Sequence, residues 1–334
     1  MAMRWLLHAM GEVCTEPLNP RGMKILVTGA SGEVGRAVVR DLLDNGHEVR
    51  AFDRTPLPLD LRSKCEVHLG DITDRFAVLK AVEGVEAVAH LAAIPNPMGG
   101  NDLVLFAPNV LGTQLVLEAC EAFDVRRVAL ASSCSIWGFA FQNAPHGEEV
   151  IGPHFLPITE EHPIENRDVY GLSKQCNEAT AAMYSRRTGM ATTCLRLMAV
   201  FSLEHLNPWM RRSLERGFEW KSRDLWGYVE RRDAARAFRL SLENLESGHH
   251  VLQIAAQDYW SLAPFRALIE RHYPELLPLM SQAQPNGYNF AHGAWDSRRA
   301  QELLGWKSQH HWGDVEELKE LREKREDNRA TPVV

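Results

Sequence analysis

The sequence predicts an α/β protein built on a doubly wound parallel sheet, and three observations support this fold class. Apolar, β-branched runs recur along the chain, and several are separated by segments with helical periodicity. The first of these runs leads directly into a glycine-rich turn that opens a helix. The chain has 334 residues, of which 45% are hydrophobic, enough for one large domain with a smaller C-terminal region.

Seven runs are predicted to form strands, and two of the intervening segments have clear helical patterns. Because strand and helix alternate, the connections favour parallel strands with helices on both faces of the sheet. The predicted strands are 24–28, 48–52, 66–69, 87–91, 128–131, 192–196 and 251–254, and the helices are 35–44 and 113–122. Residues 314–334 are dense in Glu, Lys and Arg and are expected to form a charged helix and tail.

Composition disfavours several classes of protein. A net charge of −7 argues against nucleic acid or an anionic membrane as the main partner. No window approaches the ~18 consecutive apolar residues of a transmembrane helix. The cysteines lie far apart with no CxxC pair, which favours free thiols in a reducing cytoplasm and predicts no metal site. Residues 1–21 lack the features of a secretory signal and are expected to be an extension outside the fold.

The turn after the first strand, residues 28–35, has the spacing of a dinucleotide-binding loop. Gly29 permits the tight turn, Gly32 lets the backbone approach a pyrophosphate, and Gly35 lets helix and strand pack closely. The helix then offers free N–H groups and a positive dipole end to the phosphates. The loop residues expected to contact the dinucleotide are Gly29, Ser31, Gly32, Glu33, Val34 and Gly35.

Asp53, at the end of the second strand, indicates which dinucleotide is bound. A carboxylate there can bind the hydroxyls of the adenosine ribose and repel a 2′-phosphate, which favours NAD over NADP. Arg54 beside it can neutralise a 2′-phosphate, so NADP stays open as the alternative.

Tyr170 and Lys174 are four residues apart and share one face of a predicted helix. A tyrosine titrates near ~10, too high for a base at neutral pH, and a nearby cation lowers that pKa by favouring the phenolate. Ser132 and Ser133 follow the fifth predicted strand, at the sheet edge where doubly wound folds bind ligands. These residues indicate acid/base chemistry at a hydroxyl or carbonyl oxygen.

In this order, the glycine loop, the Ser-Ser segment and the Tyr-Gly-Leu-Ser-Lys motif resemble the extended short-chain dehydrogenase/reductase superfamily, in its NAD-dependent epimerase/dehydratase branch. The resemblance runs from about Met23 to about Trp312. Further matching segments are Gly70 to Ile72, His90 to Ala93, Asn109 to Thr113, Trp226 to Val229, Asp233 to Ala237, and Asp296 to Trp306. Together the motifs are specific for the superfamily and poorly specific for the reaction.

The resemblance implies a role for each matching residue. Tyr170 would be the acid/base, and Lys174 would bind the nicotinamide ribose and lower the tyrosine pKa. Ser133 would be the catalytic serine, with Ser132 as the alternative. The further cofactor-binding residues are Asp53, Arg54, Asp71, Ile72, Leu91, Ala92, Ala93, Asn109, Tyr170 and Lys174. The expected substrate-binding residues are Ile94, Ser133, Cys134, Ser135, Trp137, Tyr170, Met198 and Arg211.

The resemblance also implies the organisation of the chain. Residues 22–200 would form an NAD-binding Rossmann domain, to which 226–256 return. Residues 201–225 and 257–313 would form a smaller C-terminal substrate-binding region. Family members pair through helices that follow the fourth and fifth strands, which implies a homodimer.

The expected substrate is a small sugar or sugar acid. Residues 201–225 form a shorter segment than nucleotide-sugar epimerases usually have, and the preceding strand lacks their Asn-Pro pair. Both departures favour a small substrate and resemble uronate and sugar dehydrogenases. An arginine cluster that includes Arg211 is either an anion clamp or a solvated helix face. Cys134 and Ser135 replace the Asp and Glu of sugar dehydratases, which disfavours elimination of water.

The leading hypothesis is an NAD-dependent oxidoreductase that moves hydride to or from a secondary alcohol or ketone carbon of this substrate. One alternative is a sugar epimerase that retains its NAD. A third is a non-catalytic NAD-binding regulator, although such proteins usually lose the Tyr or the Lys.

Overall fold

A seven-stranded parallel sheet forms the centre of the protein. The computed structural model describes residues 22–97, 101–139, 152–204, 221–283 and 287–316. The strands are β1 (Lys24–Thr28), β2 (Glu48–Asp53), β3 (Glu66–Leu69), β4 (Ala87–His90), β5 (Arg127–Ser133), β6 (Ala191–Leu197), β7 (Val200–Phe201), β8 (Val229–Glu230) and β9 (His249–Ile254). The sheet order is β3-β2-β1-β4-β5-β6-β9, all parallel, and β7 and β8 pair separately. The predicted α/β fold class, a doubly wound parallel sheet of the Rossmann type, is therefore confirmed.

Helices cover both faces of this sheet. The helices of the described chain are α1 (Glu33–Asp44), α2 (Leu59–Arg62), α3 (Arg75–Val82), α4 (Asp102–Phe106), α5 (Gly112–Ala122), α6 (Val169–Thr188), α7 (Arg231–Asn244), α8 (Phe265–His272), α9 (Leu277–Ala283) and α10 (Arg298–Leu304). Apolar residues of α1 and α7 pack on one face, and those of α3, α5 and α6 on the other. With both faces covered, every residue of β4 and β6 is buried, as expected for inner strands of a parallel sheet.

The helices after β4 form one long apolar segment. A π-helical turn, Ala107–Leu111, joins α4 to α5, and the continuous stretch Asp102–Ala122 has the length and hydropathy of a membrane span. Half of this stretch is buried, and α5 packs between α3 and α6. These contacts are those of a core helix in a layered α/β fold. The sequence did not predict this stretch as one apolar segment, because polar residues interrupt its apolar run.

Several expectations concern residues outside the described ranges. The extension 1–21, most of the charged segment 314–334, and Arg211 all lie there. The five described cysteines are unpaired thiols. Within the described chain, no group of three or more His, Cys, Asp or Glu residues is arranged to hold a metal ion.

Candidate active site

A cleft of about 1160 Å³ runs along the carboxyl ends of β1, β4, β5 and β6. The order of the sheet reverses between β1 and β4, which is where doubly wound folds bind their ligands. The cleft is larger than the ~300–1,000 Å³ of a usual small-molecule pocket, as suits a site for two ligands. Predicted site residues that line it are Gly29, Gly32, Glu33, Val34, Gly35, Asp53, Arg54, Asp71, Ile72, Leu91, Ala92, Ala93, Ile94, Ser132, Ser133, Cys134, Tyr170, Lys174 and Met198.

The glycine loop closes one end of the cleft, and two of its glycines are sterically required. Gly29 has φ +67°, and a Cβ there would lie 2.7 Å from the Ala92 backbone nitrogen. A Cβ on Gly35 would lie 2.0 Å from the Gly29 oxygen. Because no side chain fits at either position, the N-terminus of α1 can approach the cleft closely. Its free N–H groups form a site suited to a pyrophosphate.

Asp53 ties the glycine loop to the end of β2. Its Oδ2 accepts a 3.0 Å hydrogen bond from the Ser31 backbone N–H, and its Oδ1 accepts one of 3.0 Å from the Thr55 N–H. Ser31, which was also expected to contact the dinucleotide, is not among the residues that line the cleft, and its hydroxyl donates to the Thr55 backbone oxygen at 2.6 Å. Arg54 lies 3.9 Å from Asp71, and both side chains are largely exposed at the rim.

A chain of buried polar groups supports the cleft floor. Thr113 Oγ1 donates its proton to the backbone carbonyl oxygen of Asn109. In the 3.0 Å hydrogen bond with His90 Nε2 it is therefore the acceptor. His90 Nδ1 then accepts from Thr28 Oγ1 at 2.7 Å, and burial lowers the His90 pKa to about 3. Thr28 Oγ1 in turn accepts from the Leu91 and Ala92 N–H groups. The neutral imidazole thus fixes the strand ends that line the cleft.

Asn109 lies behind the cleft wall and does not line it. It is fully buried, and its Oδ1 accepts a hydrogen bond from the Ile94 N–H at 2.8 Å. Its Nδ2 donates to Ser173 Oγ at 3.0 Å, and that hydroxyl donates to the backbone carbonyl oxygen of Tyr170. Asn109 therefore connects the loop after β4 to the helical turn that carries the tyrosine. Its neighbours Ala107 and Pro108 line the cleft in its place.

Ser133, Tyr170 and Lys174 come together at the end of β5. Asp168 caps α6 by accepting from the Gly171 N–H at 2.7 Å, which starts the helix just before the tyrosine. Lys174 Nζ donates to the Ala131 oxygen at 2.8 Å and lies 5.4 Å from the centre of the Tyr170 ring. A hydrogen bond joins Ser133 and Tyr170. The predicted face of α6 therefore meets the predicted strand end.

Burial governs the ionisation of these groups. It raises the pKa of Tyr170 above its ordinary value, while the hydrogen bond with Ser133 acts in the opposite direction. Burial also lowers the pKa of Lys174 to about 8. The effect of the Lys174 ammonium on the tyrosine pKa stays a prediction, based on the rule that a nearby cation favours the phenolate.

The substrate side of the cleft differs in part from expectation. Ile94, Cys134 and Met198 line it, but Ser135 and Trp137 are fully buried behind it. The 3₁₀ turn Cys134–Trp137 points both side chains inward. Ser135 Oγ bonds Ser133 Oγ at 2.9 Å, and Trp137 packs against Trp295 with ring centres 5.5 Å apart. Both were expected to bind substrate, and their positions correct that expectation. Burial raises the pKa of the Cys134 thiol to about 12, which suits a lining group.

Asp224 lines the same side and was missed from the sequence. Burial raises its pKa to about 6, opposed by hydrogen bonds from Ser222 Oγ and the Trp226 N–H. Two basic residues of the same segment, Lys221 and Arg223, also line the cleft. No pattern in the sequence marks a lone Asp between arginine and an apolar turn as a site residue.

The residues present fit a bound dinucleotide. A phosphate site is formed by the N-terminus of α1 and the glycine loop, which has no side chains at Gly29 and Gly35. The Asp53 carboxylate at the end of β2 supplies a partner for the ribose. Tyr170 and Lys174 lie at the other end of the same cleft.

Comparison with known proteins agrees with this geometry. The profile of the NAD dependent epimerase/dehydratase family matches residues 25–255. A 3 beta-hydroxysteroid dehydrogenase/Delta 5-->4-isomerase of Mycobacterium tuberculosis is 36% identical over 197 residues, which are 57% of this chain and 50% of that protein. The NAD-dependent glucose-6-phosphate dehydrogenase of Haloferax volcanii is 30% identical over 254 residues, 73% of this chain and 90% of that one.

A solved structure gives the same picture. A short-chain dehydrogenase/reductase superfamily protein from Agrobacterium tumefaciens with bound NAD has 25% identity and a TM-score of 0.66, with 92% of this chain and 99% of that chain covered. The chain spans about half the length of the hydroxysteroid dehydrogenases it matches.

Proposed function

The chain belongs to the NAD dependent epimerase/dehydratase family, and from that premise we propose that it is an NAD-dependent oxidoreductase acting on a secondary alcohol or ketone carbon of a small sugar-like substrate. The observation that carries the proposal is the contact of Ser133, Tyr170 and Lys174 in the cleft that the glycine loop closes. A phenol, a hydroxyl and an ammonium at this point suit proton transfer at one oxygen atom.

Each of the three residues has a distinct task. Bound NAD supplies the hydride acceptor for the carbon that bears the substrate hydroxyl. Tyr170, as phenolate, takes the hydroxyl proton, and Ser133 donates a hydrogen bond to the same oxygen. Lys174 opposes the effect of burial on the phenol and binds a ribose hydroxyl. In the reverse direction Tyr170 returns the proton to the ketone oxygen.

The small sugar is proposed on two grounds. The Haloferax relative, which matches most of both chains, is an NAD-dependent glucose-6-phosphate dehydrogenase. Polar side chains of Ser222, Arg223 and Asp224 line the substrate side of the cleft and suit a ligand with several hydroxyl groups. A hydroxysteroid is the necessary comparison substrate, because Ile94 and Met198 form an apolar wall and the Mycobacterium relative acts on hydroxysteroids.

The proposal includes a cytoplasmic homodimer and the two-part organisation expected from the sequence, with residues 22–200 binding NAD and the C-terminal region binding substrate. Leu103, Leu111 and Leu172 expose apolar side chains on the helical layer formed by α4, α5 and α6. A second copy covering these leucines would remove that surface from water. Light scattering with size-exclusion chromatography measures the assembly, and a monomer at micromolar concentration contradicts it.

The function is tested by NADH formation with sugars, sugar acids and hydroxysteroids, each with NAD and with NADP. We expect turnover with a sugar and NAD, and its loss in Tyr170→Phe while NADH still quenches or shifts protein fluorescence. Turnover of hydroxysteroids alone would reassign the substrate. Turnover unchanged in Tyr170→Phe would contradict the assigned acid/base.

Sugar epimerisation is the second candidate, because the family includes epimerases and the same three residues serve an oxidation followed by a reduction. The difference lies in whether the cofactor leaves. Mass spectrometry of the purified protein under native and denaturing conditions measures NAD per chain. Near one NAD per chain, with sugar isomerisation seen by NMR and no net NADH, favours the epimerase.

A further inference from the structure

The Asp224 carboxylate enters the substrate side of the cleft without a cationic partner. Its Oδ1 accepts hydrogen bonds from Ser222 Oγ and from the Trp226 N–H, the latter at 3.1 Å. The backbone N–H of Asp224 also contacts the carboxylate, and no hydrogen bond from another described residue reaches Oδ2. Lys221 and Arg223 line the same cleft, yet neither forms an ion pair with Asp224, and Lys221 Nζ lies 4.4 Å from the centre of the Tyr273 ring instead.

The buried carboxylates of the described chain are all paired with arginine, whereas Asp224 is half-buried and has no such pair. The pairs are Glu178 with Arg196, Glu230 with Arg232, Asp233 with Arg236, and Asp296 with Arg298. Such pairing offsets the cost of removing a carboxylate from water. Asp224 lacks this compensation, and the cost appears as a pKa raised to about 6. A titratable group with a raised pKa at the wall of a reaction cleft is a candidate functional residue.

The backbone holds Asp224 in place. Its carbonyl oxygen accepts from Trp295 Nε1 at 2.8 Å and from the Gly227 N–H at 3.0 Å. The next two residues, Leu225 and Trp226, have φ of 50° and 58°, a backbone conformation that residues other than glycine rarely adopt. Both side chains are buried, so the tertiary packing maintains this conformation. The carboxylate is therefore a fixed acceptor and not a mobile surface group.

We propose that Asp224 determines substrate specificity, with its free Oδ2 accepting a hydrogen bond from a hydroxyl or amino group of the substrate. The inference rests on the proposed function and narrows it: the substrate is a neutral or amino sugar, and not a sugar acid. A uronate carboxylate placed here would meet a second carboxylate, with like-charge repulsion in a desolvated site. An apolar steroid would leave Oδ2 dehydrated and without a donor. The assignment disfavours the anion clamp, which is one of the two alternatives for the arginine cluster.

The test compares matched pairs of probes that differ only at one carbon: glucose with glucuronate, galactose with galacturonate, and mannose with mannuronate. For each pair kcat/KM is measured with NAD for the wild type, for Asp224→Asn and for Glu275→Gln. The last variant is the control, because it also removes one negative charge from the C-terminal region, but Glu275 is exposed and does not line the cleft. NADH binding is measured by fluorescence for all three proteins.

We expect the wild type to prefer at least one neutral sugar over its uronate by tenfold or more. Asp224→Asn should reduce that preference about 10- to 100-fold, mainly through KM, because a hydrogen bond to a charged acceptor is lost. Glu275→Gln should keep it, and all three proteins should bind NADH equally.

Each other outcome overturns the inference. A wild-type preference for a uronate, or an unchanged ratio in Asp224→Asn with NADH binding intact, overturns the role of Asp224 and leaves the proposed oxidoreductase in place. NADH binding without turnover of any sugar overturns the substrate class. Absence of NADH binding to the wild type overturns the proposed function itself and the inference with it.

Discussion

The ammonium group of Lys174 lies 5.4 Å from the centre of the Tyr170 ring and donates a 2.8 Å hydrogen bond to the Ala131 oxygen of β5. One cation thus contacts the phenol and the strand that ends in Ser133. Burial lowers the pKa of the lysine to about 8 and raises that of the tyrosine. Each group is therefore held closer to its neutral form than in water, and the charge of either one favours ionisation of the other.

We expect the rate of alcohol oxidation to depend on pH through the charge of Lys174. Lys174 is cationic below its pKa of about 8 and neutral above it. We expect kcat/KM for alcohol oxidation to fall above about pH 8, because neutral lysine no longer favours the Tyr170 phenolate. Lys174→Arg keeps a cation at all these pH values, so its profile should lack this fall even if its activity is lower. Profiles of both proteins from about pH 6 to about pH 10 measure this, and a fall retained in the arginine variant would belong to another group.

Ser133 and Ser132 are neighbours with different partners. Ser133 bonds Tyr170 in the cleft, whereas Ser132 Oγ donates to Glu178 Oε1 at 2.6 Å. We expect Ser133→Ala to lower kcat by about 100-fold, the usual loss for one donor at a reacting oxygen, with NADH affinity unchanged. Ser132→Ala is the matched control and should lower kcat much less, with its main effect on thermal stability. The opposite ranking would make Ser132 the catalytic serine.

Local pattern predicted the sheet well because the strands are continuous buried runs. β1 and β3 have the predicted bounds, and β5 and β6 extend the predicted runs at both ends. The two-residue strands β7 and β8 were missed, since so short a pairing depends on tertiary contacts and leaves no periodicity. The glycine loop was predictable because its constraints are local, as at Gly29.

Positions on the substrate side depend on the path of the backbone, and the sequence predicted them less well. Trp137 follows Ser133 closely, but a 3₁₀ turn points it into the core against Trp295, which is distant in sequence. Asp224 becomes a cleft residue through the left-handed pair Leu225 and Trp226, a conformation that no residue preference of leucine or tryptophan predicts. Long-range packing decides both outcomes.

Asp53 is expected to decide between NAD and NADP. Its carboxylate lines the cleft at the end of β2, with Oδ2 on the Ser31 N–H and Oδ1 on the Thr55 N–H. We expect Asp53→Asn to keep these acceptor contacts in part and to lose the repulsion of a 2′-phosphate. The NAD-to-NADP ratio of kcat/KM should fall about tenfold, equivalent to ~1.4 kcal/mol. Asp60→Asn, at an exposed position in α2 outside the cleft, is the control and should keep the ratio. An unchanged ratio in Asp53→Asn would place the discrimination elsewhere, with Arg54 as the next candidate.

The buried pair Glu178–Arg196 joins α6 to β6 beneath the active site. Arg196 donates to both carboxylate oxygens of Glu178 at 2.9 Å, and both side chains are almost completely buried. Arg196→Met should lower the free energy of unfolding by about 3–5 kcal/mol, because it leaves Glu178 charged, buried and unpaired. The double variant with Glu178→Leu should recover much of this loss. Urea unfolding measures both, and additive losses in the double variant would contradict a coupled pair.

Asp224→Asn is expected to stabilise the protein while it weakens substrate selectivity. The pKa of Asp224 is raised from the ordinary 3.8 to about 6 in the folded chain. Folded protein therefore binds this proton more tightly than unfolded protein does, so the destabilisation is absent below about pH 4 and complete above about pH 6. The variant should gain about 1–3 kcal/mol in the free energy of unfolding at about pH 7.5 and nothing near pH 4. The upper end of this range corresponds to the full pKa difference, and partial exposure of the side chain to water reduces the gain below it. Urea unfolding at both pH values measures the gain. Glu275→Gln, which is exposed, should stay within ~0.5 kcal/mol of wild type at each. A loss of stability at pH 7.5 would mean that the charge of Asp224 supports the fold. A gain means that Asp224 destabilises the folded chain, which is expected of a residue that is retained because it binds a ligand.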